Sequence, residues 1–150
     1  WLDTNNWNTF GGNGIQPDEK FSQKYTRFQI ELARKSTFRE FIPKYFSSHS
    51  TQLPKDWVPD AAMMNDFHGY LLKNNVTFTE AEFAENQDWV KIQIKREALI
   101  TAVSLDESLK YAIETDPAVL KAVESMSKAR ELLDTAKKSV VQLNKRYQRD

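Results

Sequence analysis

His49 and His68 are the only side chains in this sequence with ordinary titration near neutral pH, so any acid–base or metal chemistry would have to start from them. Their separation does not match metal-ligand spacing, and with no cysteine in the chain both a thiolate zinc site and a cysteine nucleophile are excluded. Asp66 stands near His68, yet two such residues in one polar stretch read as exposed polarity rather than a dyad. No serine lies in a G-x-S-x-G turn. Glu80, Glu82 and Glu85 cluster at the start of an expected helix, where the macrodipole favours negative charge without any catalytic purpose. Trp1, Trp7, Trp57 and Trp89 could line a sugar or peptide platform, but tryptophans scattered over a chain of this size are expected as core or interface anchors. The run Gly11-Gly12-Asn13-Gly14 could aim backbone N–H groups at a phosphate. It lacks the G-x-x-x-x-G-K-[ST] pattern, and Asp18 and Glu19 place negative charge where the phosphate would sit. No catalytic, cofactor-binding or metal-binding residue is assigned.

The glycine run therefore reads as a boundary. Glycine tolerates positive φ, whereas Pro17 fixes its own φ and pushes Gln16 out of the α region. A chain of 150 residues, 40% hydrophobic and 12% aromatic, is enough for one globular core. Its 21 basic and 21 acidic residues cancel, which gives no support to nucleic-acid binding. The balance is uneven along the chain: from Asp116 to Asp150 there are eight Lys or Arg against five Asp or Glu. No apolar run approaches the roughly 18 residues needed to span a membrane. A chain that opens on Trp1 is expected to be a processed product or a piece of something longer.

Downstream of the glycines the punctuation is helical, and the expected fold class is all-α, with about five or six helices following an irregular N-terminal arm. Phe21, Tyr25, Phe28 and Leu32 suggest a first helix, and Thr37-Phe38-Arg39-Glu40 resembles a capping box opening a second, whose face of Phe38, Phe41, Ile42, Tyr45 and Phe46 Pro43 interrupts, at the cost of no more than a kink so near the helix start. Residues 47 to 59 read as loop, and Asp60 caps a helix carrying Met63, Phe67, Tyr70 and Leu71. Thr79-Glu80-Ala81-Glu82 is a capping box with Phe78 and Phe83 placed for a hydrophobic staple, opening a central helix that runs to about Val103. A second box, Ser104 to Glu107, starts a short helix ending near Thr115. Asp116-Pro117 then opens a long C-terminal helix. Along it Ala122, Met126, Ala129, Leu133, Ala136, Val140, Leu143 and Tyr147 recur at intervals of four and three. That seam must pack on something: the rest of the domain, or a second polypeptide, for which Met126, Leu133, Val140, Leu143 and Tyr147 are the interaction residues.

Taken with this order of helices, the segment Gly11, Gly12, Gly14, Ile15, Pro17 and Asp18 resembles the G-G-x-G-I-x-P-D element that closes the protease core of the S41 family, the carboxyl-terminal processing serine peptidases. Some members append a helical extension with an aromatic-rich helix like Phe38 to Phe46. It continues with a stretch like Phe78 to Phe83, a helix like Trp89 to Val103 and an Asp-Pro like Asp116-Pro117. The resemblance implies that residues 1–20 trail from a protease core and that residues 21–150 are a C-terminal helical domain. The family's nucleophilic serine and general-base lysine lie upstream of the glycines, so no catalytic residue carries over and this chain alone is expected to be inactive. The implied partners are the protease core of the same polypeptide and the parent's protein substrates, with homo-oligomers possible through the seam, and the implied location is periplasm or cell envelope. The alternative is a stand-alone helical interaction or dimerisation module, with the glycines as linker.

Overall fold

The computed structural model describes residues 17, 19–49, 52–54 and 56–147, with side chains as far as 141. Gly11, Gly12, Gly14, Ile15 and Asp18 of the junction motif, Trp1, Trp7 and the side chains of Leu143 and Tyr147 lie outside the described residues. Within them the fold is all-α. Eight helices succeed one another: α1 (Arg27–Arg34), α2 (Thr37–Phe46), α3 (Ala61–Lys73), α4 (Glu80–Glu85), α5 (Gln87–Ala102), α6 (Leu105–Glu114), α7 (Pro117–Glu124) and α8 (Met126–Tyr147).

Most starts follow local chemistry. Asp60 Oδ1 accepts from the Met63 N–H at 2.8 Å, satisfying a donor that has no partner in the first turn of α3. Thr79 and Glu82 form the reciprocal box at α4, with the Glu82 carboxylate accepting from the Thr79 N–H at 2.8 Å. Phe78 and Phe83 close over it as the staple, their ring centroids 5.9 Å apart. Ser104 caps α6, and Asp116 caps α7 with Pro117 at its first position. At the far end of α3, Asn75 takes a left-handed conformation (φ 53°). Val76 N–H then reaches the Leu71 carbonyl and Asn75 N–H the Leu72 carbonyl, a Schellman closure that turns the chain toward α4.

Several expectations are corrected. The Thr37 box does not form: Ser36, at φ 51°, occupies the cap position without a side-chain bond, while Thr37 is buried and donates Oγ1–H to the Leu32 carbonyl. Phe21 and Tyr25 precede α1 and stay exposed, because the helix begins instead at a Thr26–Gln29 capping box. By contrast α2 runs through Pro43 to Phe46, as expected of a proline so near a helix start, with Pro43 on an exposed face. The expected central helix is two, broken at Asn86, whose Nδ2 donates to the Glu82 carbonyl at 2.7 Å and whose Oδ1 accepts from Thr26 Oγ1. The long last helix also breaks, at Ser125, where Oγ–H bonds the Lys121 carbonyl four residues back. These two breaks turn six expected helices into eight.

The core sits among α1, α2, α3 and α5. Phe28, Leu32, Ile42, Phe67, Leu71, Val90, Ile94 and Ala98 are almost fully buried there. Phe67 holds its centre, stacked on Phe38 and edge-on to Phe41, each at 5.0 Å between centroids. On one side α5 packs against α2 and on the other against α6, which is why its apolar stripe is broad. From α6 onward the helices touch in chain order, α6 with α7 and α7 with α8. Among the described residues no side chain after Ser108 is buried.

Candidate interaction surface

The predicted interaction residues on α8 lie in the open. Met126 is 64% exposed, Leu133 54% and Val140 54%, with Ala129 and Ala136 between them at the narrow positions of the same stripe. Of the two destinations open to this seam, the described residues of the domain do not supply the first. Full burial of a side chain of this size contributes roughly 1.5–3 kcal/mol, so a row of them left half-exposed is a substantial unused association energy. Arg130 and Lys137 follow the alanines along one edge of the stripe, while Glu131 and Asp134 stand on positions away from it. The seam thus has a basic margin.

Its beginning is partly sheltered. Glu19–Phe21 crosses the α7–α8 junction and, with Ala118, Ala122, Met126 and Ala129, walls a cleft of about 270 Å³. Lys128 binds Glu19 there, and the ammonium holds that carboxyl below its ordinary range, first through the hydrogen bond and then through charge. Ser125 and Lys128 have the S-x-x-K spacing. Ser125 gives its hydroxyl proton to the Lys121 carbonyl and Lys128 is bound to a carboxylate as an ammonium, the reverse of a neutral lysine poised to accept a serine proton.

The other chemistry-bearing residues are held by local partners. His68 Nε2 meets both oxygens of Glu80, at 3.0 and 3.1 Å, rather than Asp66, and the ring stands edge-on to Phe78 and Phe83. Glu80 arrives from the next helix, so sequence proximity does not disclose this partner. His49 stacks on Tyr45 at 3.9 Å and bonds the Tyr45 carbonyl through Nδ1. Glu82 is used as a cap, as its position in the first turn suggests. Trp57 and Trp89 are half-buried against the core. Among the described residues no group of His, Cys, Asp and Glu is arranged to hold a metal ion, and no helix is long and apolar enough to cross a membrane.

Comparison with protein-family models, with curated proteins and with solved structures gave no match.

Proposed function

We propose that this chain is a non-catalytic helical domain that works by docking on another polypeptide, and that it is the C-terminal domain of an S41 carboxyl-terminal processing peptidase. The exposed stripe Met126, Leu133 and Val140, carried on a helix that adds nothing to the buried core, supports the docking role. The junction sequence from Gly11 to Asp18 and the order of helices support the peptidase assignment. In that setting the partners are the protease core of the same polypeptide or a second copy, and the domain contributes to folding, oligomerisation or substrate gating in the periplasm or cell envelope. The same stripe serves equally as the face of a stand-alone interaction module, and the upstream coding sequence separates the two: a serine and a lysine in a protease core are expected, and finding neither removes the peptidase assignment. The non-catalytic role has its own test. Incubated alone with an unstructured protein such as casein, the chain is expected to release no fragments; robust serine-type cleavage would overturn the reading.

A further inference from the structure

Ser108 is buried at the α5–α6 contact, and its Oγ–H donates to the Arg96 carbonyl at 2.9 Å, tying the two helices together. Beside this tie runs a groove of about 550 Å³, away from the α8 seam, walled by Tyr25, Trp89, Ile92, Leu109 and Ile113. Tyr25, Leu109 and Ile113 are each more than half exposed. Arg96 also lines it and is its one cation among the described residues. Its Nε is buried and meets no acceptor among the described residues, where the guanidinium makes one long hydrogen bond, Nη1 to Gln93 Oε1 at 3.4 Å. Asp116, the one carboxylate on the wall among the described residues, is engaged through Oδ1, which accepts from the N–H groups of Ala118 and Val119.

A guanidinium keeps its charge at any accessible pH, and a desolvated N–H without an acceptor is unfavourable. A carboxylate in the groove would pair with the weakly partnered Nη–H groups of this guanidinium, while Nε itself stays enclosed. The walls on either side would receive apolar side chains. We propose that the groove docks an apolar peptide segment bearing an internal aspartate or glutamate, with Arg96 as its anchor. A chain-terminal carboxylate is the weaker fit, because such ends are held by clusters of free backbone N–H groups, and the amides at the start of α7 are taken by Asp116. The inference concerns a different face from the seam and stands independently of the peptidase assignment.

Calorimetric titration of the full chain with three leucine-rich helical peptides tests it: one capped at both ends with a central Glu, one capped with Gln in that place, and one with the Gln and a free terminal carboxylate. The Glu peptide is expected to bind about tenfold more tightly than the other two, or better, as befits a charge-assisted bond to a weakly partnered donor. Arg96→Gln should abolish the preference, Arg96→Lys should lose most of it, and Leu109→Asp should weaken all three peptides. Far-UV circular dichroism checks that each variant is folded, and the comparison among peptides on the unsubstituted chain decides without any variant. Equal binding of the Glu and Gln peptides, tightest binding of the free-carboxylate peptide, absence of binding, or a preference that survives in a folded Arg96→Gln chain would each overturn the proposal.

Discussion

Tyr70 is the residue whose chemistry this fold alters most visibly. Its ring lies between Phe41 and Phe67, and its hydroxyl donates to Glu40 Oε2 at 3.0 Å. Burial first, then the hydrogen bond and the adjacent negative charge, pushes the phenol from its ordinary value near 10 up to about 12. Because the folded state holds this proton more tightly than the unfolded chain, the linkage stabilises the fold fully below pH 10 and is lost as pH rises from 10 to about 12. Following the tyrosine ring signals by NMR through alkaline titration should therefore show Tyr70 ionising last among the resolved tyrosines, and Glu40→Gln should bring it down. A Tyr70 that titrates at its ordinary value near 10 would contradict this account. None of it was legible in the sequence, where Glu40 and Tyr70 sit on different helices. The same limit hid Glu80 from His68 and gave Arg96 no distinguishing mark, since an unpaired buried nitrogen exists only once α5 and α6 have packed.

At the scale of elements, the starts at Asp60, Thr79, Ser104 and Asp116 were legible, whereas those of α1 and α2 and the breaks at Asn86 and Ser125 were not. A helix start at Asp60, Thr79, Ser104 or Asp116 is written within four residues, because the cap bonds a backbone N–H two or three positions on. At the Asn86 break the side chain takes the Glu82 carbonyl and is itself held by Thr26, 60 residues away. At Ser125 the side-chain bond is entirely local, to Lys121, of the kind that Thr135 and Ser139 make inside α8 without breaking it. The two breaks should consequently respond differently. Asn86 is only 6% exposed, and Asn86→Ala removes two side-chain hydrogen bonds there. The expected cost is about 1–3 kcal/mol, seen as a lower denaturation midpoint. Ser125→Ala should change stability by no more than about 0.5 kcal/mol, since it removes an exposed back-bond and adds a better helix former. Equal destabilisation by the two substitutions would show that the Ser125 junction is a packed feature and not a local one.

The whole molecule divides by burial rather than by connectivity. Everything fully enclosed falls between Phe28 and Ser108, whereas α7 and α8 extend the chain without adding a buried side chain among the described residues. The sequence disclosed the seam's period, because a repeat of four and three is a property of spacing, but what covers a seam depends on where its helix goes, and α8 leads away from the aromatic core. Two consequences can be measured. A chain ending at Thr115 should unfold with nearly the same midpoint as the full chain, since the deletion removes no core contact. Leu133→Asp with Val140→Asp should likewise leave the thermal midpoint in place, because exposed apolar side chains change stability by about 0.5 kcal/mol or less when replaced. Any association in solution should nonetheless be lost, read by light scattering, as two carboxylates would have to be desolvated at the contact. Unfolding of the double variant would instead place the seam within the stabilising core, and with it would fall the docking role argued for α8.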